Sequence, residues 1–187
     1  EGESGFNNLI KEVLKLDDRI NLRDKIRSEK LNGAIVRDLE GKYIFGGPGL
    51  RIANLDKIPS PYLTGILDKF FDDRLDPYIQ TSRGCPFTCA FCVDGAKEVK
   101  VVNRFCVDRV IQELNYIAKR VSSKVHTLGI TDLNFGMYKG DLDICDAIVD
   151  IQKKYNYPSC IFAATGKNAK EKIIEAIKRL KGTLKIT

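Results

Sequence analysis

Cys85, Cys89 and Cys92 lie within eight residues of one another and are the side chains best placed to do chemistry. They belong to the run Thr81-Ser82-Arg83-Gly84-Cys85-Pro86-Phe87-Thr88-Cys89-Ala90-Phe91-Cys92, with the spacing C-x3-C-x2-C. Thiolates are soft ligands that favour iron–sulfur clusters, zinc or copper(I). A structural zinc site takes four protein ligands, and an electron-transfer cluster is usually held by four cysteines. Three closely spaced cysteines instead hold three irons of a four-iron cluster and leave the fourth open to bind a substrate or cofactor. Gly84 allows a sharp turn into the loop, and Pro86 stiffens it. Zinc would need a fourth ligand from Cys106, Cys145, Cys160 or His126, and a pair of C-x2-C knuckles would suit it better than one triplet. Cys145 and Cys160 fall on expected core faces, where a thiol packs as a small apolar group. His126 opens an expected strand with nothing nearby to complete a site, and reads as structural.

The elements that must carry this loop follow from periodicity. Residues 5–16 read as a helix with Phe6, Leu9, Ile10, Val13 and Leu14 on one stripe. Residues 33–47 read as a hairpin turning at Glu40-Gly41, and Ile58-Pro59-Ser60-Pro61 as a stiff link. This places a boundary after residue 57: 1–57 as one segment and 58–187 as a second. Beyond it, a strand at 78–82 leads into the cysteines. A helix at 107–121, a strand at 125–131, a helix at 141–155, a strand at 159–164 and a helix at 169–181 follow. A last strand starts at Thr183. The run Ser159-Cys160-Ile161-Phe162-Ala163-Ala164 suits a fully buried strand, and Ile173, Ile174, Ile177 and Leu180 are expected to face inward. Alternation of strand and helix predicts an α/β fold with a parallel sheet. A full eight-unit barrel needs about 250 residues, so the expectation is a partial (β/α) barrel of about three to four units behind a small α+β segment.

The chain has 187 residues, 43% hydrophobic and 30% charged, enough to bury a core. It carries no apolar run of membrane-span length and no signal peptide, and does not begin with Met, so it reads as a piece of something longer. Its formal charge of +6 comes from Lys and Arg mixed with Asp and Glu, the pattern of solvated faces, so nucleic acid is not the expected partner. Clustered cysteines without an export signal point to a metal in a reducing compartment, the cytoplasm.

The cysteine loop resembles that of the radical S-adenosylmethionine enzymes, whose motif has this spacing with an aromatic residue, here Phe91, before the last cysteine. Asn54-Leu55-Asp56-Lys57-Ile58-Pro59-Ser60-Pro61, the run Tyr78 to Cys85, Asp132-Leu133-Asn134-Phe135-Gly136 and Gly166-Lys167-Asn168 are similar to the branch with a cobalamin-binding domain ahead of the barrel. So is the opening Glu1-Gly2-Glu3 with its helix, which looks like the end of that domain. The resemblance implies a radical S-adenosylmethionine-type barrel with the loop after its first strand. It implies a [4Fe–4S] cluster on Cys85, Cys89 and Cys92, with Phe91 packed beside it. It further implies S-adenosylmethionine on the open iron, cleaved reductively to a 5′-deoxyadenosyl radical. Cobalamin is a candidate second cofactor, for methyl transfer or related radical chemistry. A small-molecule substrate and an electron donor such as flavodoxin or ferredoxin are the implied partners. Many members have Gly-Gly-Glu after the second strand, contacting the amino group of S-adenosylmethionine. Asp132 and Asn134 stand there in this chain; either could accept that hydrogen bond, or both could be turn residues. Asn168 could likewise cap the following helix. The rival reading is a non-catalytic binding module stabilised by zinc or a closed cluster.

Overall fold

Residues 2–16, 22–28, 30–166 and 168–186 are described by the computed structural model. They fall in two compact units, Glu1–Ala53 and Asn54–Thr187. In the first, Gly2–Leu14 form helix α1 and Leu22–Ser28 the short α2. Strands β1 (Ile35–Arg37) and β2 (Tyr43–Phe45) pair antiparallel, Ile35 opposite Phe45. Their turn needs φ of +87° at Gly41, and Asp38 closes it by accepting from the Lys42 amide at 2.7 Å. The expected stripe of α1 is helical, but Phe6 and Leu14 remain exposed.

In the second unit the strand–helix alternation gives one parallel sheet. Its strands are β3 (Tyr78–Ile79), β6 (Thr127–Ile130), β7 (Cys160–Ala163) and β8 (Leu184–Ile186), in the order β3-β6-β7-β8. Helices α3 (Val107–Ala118), α4 (Lys139–Tyr155) and α5 (Lys170–Arg179) provide the crossovers. Because strand side chains alternate, Ile79, Leu128, Ile130, Ile161, Ala163 and Leu184 share one face. They meet Val110, Leu114 and Ile117 of α3, Ile144, Ile148 and Ile151 of α4, and Ala176 of α5 in a single core. Among the described residues, no helix is long and apolar enough to cross a membrane.

Three expectations change. The strand at 78–82 is broken. Tyr78 and Ile79 join the parallel sheet, whereas Ser82–Arg83 (β4) pair antiparallel with Asn103–Arg104 (β5) in a separate ribbon. The apolar run at 159–164 is not fully buried. Phe162 faces away from the helices and is 41% exposed, in a register row with Tyr78, Gly129 and Lys185. Ile174, expected inside, is 49% exposed, because α5 turns Ile173 and Ala176 to the core instead. Ile148, with 0% exposure, should be sensitive to truncation. Ile148→Ala is expected to lower stability by about 2–5 kcal/mol, read as a lower urea midpoint at unchanged slope. A loss under about 1 kcal/mol would contradict this packing.

Candidate functional site

The cysteine loop leaves the sheet at the C-terminal end of β3 and is closed at its base by the β4–β5 ribbon. Gly84 adopts φ of +109°, which a side chain would strain, and so turns the chain directly into Cys85. The Cys85 amide donates to the Val99 carbonyl at 3.0 Å, and that of Cys92 to Cys89 at 3.1 Å. A Cβ at Gly95 would lie 2.6 Å from the Cys89 carbonyl oxygen, so glycine lets the returning chain pass close to the loop. Cys85 and Cys89 are half-buried, Cys92 is exposed, and none of the six cysteines is in a disulfide. Phe91 is 82% exposed. Among the described residues, no three His, Cys, Asp or Glu side chains are drawn together as a metal site draws them, the loop cysteines included.

The loops after β3, β6 and β7 converge at this end of the sheet. Thr131 donates its amide to Ile79, Phe135 donates to Ala164 at 3.0 Å, and Thr165 donates its hydroxyl to Phe135 at 2.9 Å. Asp132 is 2% exposed, and its carboxylate accepts from the Thr81 amide at 2.7 Å, the Thr81 hydroxyl and the Ser82 hydroxyl at 2.7 Å. It thus ties the end of β6 to the root of the cysteine loop. Burial pushes the Asp132 carboxyl above its usual range, against the downward pull of the Ser82 and Thr81 hydrogen bonds. Asn134 is 4% exposed and its Nδ2 has no hydrogen-bond partner, an uncommon state for a buried amide. Beside it, a Cβ on Gly166 would sit 1.7 Å from the Met137 sulfur and 3.0 Å from Asn134 Oδ1. Lys167 lies outside the described residues. Asn168 does not cap α5; the cap position is Ala169, in the left-handed region, with no side-chain hydrogen bond.

Sequence reasoning missed a second cluster here. Arg104, opposite Ser82 in the ribbon, pairs with Asp141, which is fully buried. The other Asp141 oxygen accepts the amides of Gly136 at 2.9 Å and Tyr138 at 3.0 Å, fixing the start of α4. The Arg104 guanidinium lies 4.8 Å from the Tyr138 ring centroid. Arg104 Nη1 and the Tyr138 hydroxyl are both buried and unpartnered. Burial raises the Tyr138 pKa, and the charges of Arg104, Asp141, Cys85 and Asp132 also act on its hydroxyl. Arg104, just past the loop, and Asp141 were the available signals, but their pairing spans 37 residues. Elsewhere, Cys106 caps α3, its sulfur accepting from the Arg109 amide at 3.4 Å. Cys145 is buried, its thiol pushed up to about 12, and His126 is exposed.

The raised pKa of Asp132 has a definite consequence for stability. The folded state holds this proton more tightly than the unfolded chain, whose value is near 3.8. Its contribution is therefore complete below that pH and is lost as pH rises through the folded value. The stability advantage of the wild type over Asp132→Asn should shrink from about pH 3 to about pH 7 in denaturant titrations. An advantage that grows with pH would contradict the burial argument.

No family model matches the chain. It is 29% identical over 184 residues to the 2-(S-pantetheinyl)-carbapenam-3-carboxylate methyltransferase of Streptantibioticus cattleyicolor, covering 95% of this chain and 25% of that protein. It is 28% identical over 141 residues to the cobalamin-dependent radical SAM methyltransferase TokK of Streptomyces tokunonensis, covering 72% of this chain and 20% of that one. The chain thus spans a quarter or less of the length of these curated relatives. Its fold matches that of the cobalamin-dependent S-adenosylmethionine radical enzyme OxsB, solved with aqua-cobalamin and S-adenosylmethionine bound. The TM-score is 0.60 at 19% identity, over 100% of this chain and 27% of that one. The radical S-adenosylmethionine methyltransferase TsrM from Kitasatospora setae, solved with cobalamin and a [4Fe–4S] cluster, gives 0.54 at 13% identity, over 95% and 35%. Over most of its length, then, the chain is similar in sequence to part of two methyltransferases, one of them a cobalamin-dependent radical S-adenosylmethionine enzyme, and it shares its fold with part of OxsB and TsrM.

Proposed function

We propose that this chain is the cluster-holding part of a radical S-adenosylmethionine enzyme whose reaction is cobalamin-associated methyl transfer or related radical chemistry. The observation that carries the reading is the loop itself: Cys85, Cys89 and Cys92, none in a disulfide, at the C-terminal end of a parallel strand. That end is where α/β sheets collect their chemistry. The donor set fits a [4Fe–4S] cluster with one open iron, because it offers three thiolates at close spacing. Cys106 caps α3, Cys145 is buried in the core and Cys160 opens β7, at the opposite end of the sheet. Cys85, Cys89 and Cys92 would ligate three irons, which requires the exposed loop to close around them. Phe91, exposed on that loop, would then pack beside the cluster.

Cys85, Cys89 and Cys92 would hold a cluster that, once reduced, could supply the electron for cleavage of S-adenosylmethionine to methionine and a 5′-deoxyadenosyl radical. Asn134 has an unpartnered buried Nδ2, a donor suited to the carboxylate of that cofactor rather than to its amino group, whereas the Asp132 oxygens already accept from Thr81 and Ser82. Asp132 therefore holds the loop root in place, and Asn134 is the better candidate to contact the cofactor. The sheet face carrying Tyr78, Gly129, Phe162 and Lys185 lacks a helix cover among the described residues, which supports a partial (β/α) barrel with that face toward its interior. In this reading residues 58–187 are the first part of the barrel, and residues 1–57 end a cobalamin-binding-like domain. The exposed Phe6 and Leu14 of α1 are what a helix of a larger domain would present. The whole protein would act on a small molecule, draw electrons from a flavodoxin- or ferredoxin-like donor, and work in the cytoplasm, where thiols stay reduced.

The rival zinc module needs a fourth ligand, of which Cys106 is nearest in sequence. Anaerobic reconstitution with iron and sulfide separates the two readings. Cys85→Ala, Cys89→Ala and Cys92→Ala are each expected to lose most of the bound iron, whereas Cys106→Ala keeps it. Stoichiometric zinc uptake that Cys106→Ala abolishes would instead establish the zinc module.

A further inference from the structure

The pair of unpartnered donors beside the loop calls for an acceptor. Arg104 Nη1 and the Tyr138 hydroxyl are buried without a hydrogen bond, a costly arrangement that folded proteins seldom keep without use. Both side chains are held firmly. Arg104 is clamped by the buried Asp141 carboxylate and stacked on Tyr138. Tyr138 donates its own amide to Asp141 and opens α4. Arg104 stands opposite Ser82, three residues before Cys85, in the ribbon that closes the loop. Asp141 takes Nη2 of the guanidinium, which leaves Nη1 a donor without a hydrogen-bond partner. The acceptors at the loop base are already taken, Asp132 by Thr81 and Ser82 and Asp141 by Arg104, Gly136 and Tyr138, so the acceptor for the two remaining donors must come from what the loop holds.

We propose that Arg104 and Tyr138 are positioning residues that donate hydrogen bonds to the sulfur shell of the cluster at Cys85 and thereby raise its reduction potential. This rests on the cluster reading given above. One-electron reduction adds a negative charge to the cluster, and no bond need form or break. A cationic donor and a hydroxyl donor at the sulfurs stabilise that added charge. The low dielectric around buried groups strengthens the effect.

The test uses the whole chain, reconstituted anaerobically and titrated with dithionite while the reduced cluster signal is followed. Wild type is compared with Tyr138→Phe, which removes one hydroxyl and keeps the ring. A second variant, Arg104→Lys, keeps the charge and loses the forked donor. Lys153→Ala, on an exposed face of α4, controls for the loss of a distant charge. Melting temperature is recorded for each chain. The expected result is full iron content and a more negative midpoint in both site variants. A shift of about tenfold in the one-electron equilibrium, about 59 mV, is expected for Arg104→Lys. The control should match the wild type. Full loading with unchanged midpoints overturns the proposal. So does a loss of loading that follows a loss of melting temperature, which makes the residues structural. Reduced loading at unchanged melting temperature supports donation to the cluster. A wild-type chain that takes up no iron removes the cluster reading itself, before any variant is compared.

Discussion

The Asp132 carboxylate is the point on which the site depends. It is buried, and it accepts from Thr81 and Ser82 on the segment that leads into Cys85. Without those acceptors, the Thr81 amide and hydroxyl would be buried with nothing to bond, since Thr81 is fully buried. The same contact breaks the strand that would otherwise run from Tyr78 to Ser82. β3 stays in the parallel sheet while β4 turns away to form the ribbon with β5. The cysteine loop is therefore anchored at both ends, and its interior is left with short turns and exposed side chains.

A second buried carboxylate repeats the device one layer outward. Asp141 joins the returning strand of the loop, through Arg104, to the start of α4, through the amides of Gly136 and Tyr138. The two carboxylates hold the loop base against the ends of β6 and α4, which the core packs firmly. Rigid elements thus carry the ends of the loop, and in the proposed reading Cys85, Cys89 and Cys92 between them would be drawn together by the metal group they bind.

The cysteine triplet and the strand–helix alternation were legible in the sequence because both are local signals. Spacing alone defines the triplet, and Ile144, Ile148 and Ile151 mark one face of α4 by their period. Contacts between distant residues were not legible. Thr81 and Asp132 are 51 residues apart and Arg104 and Asp141 are 37 apart, so no window of sequence contains either pair. Asp132 and Asn134 read equally well as turn residues. Both are buried, and their hydrogen bonding separates them, one fully engaged and the other with an amide to spare. The exposure of Phe162 escaped notice for another reason: an unbroken apolar run carries no alternation from which to assign faces.

The most direct test of the account is electron paramagnetic resonance of the reduced, reconstituted chain with and without S-adenosylmethionine. An open iron held by Cys85, Cys89 and Cys92 predicts a four-iron signal whose shape shifts when the cofactor is added. A four-iron signal indifferent to the cofactor, or a chain that binds zinc and no cluster, would contradict it.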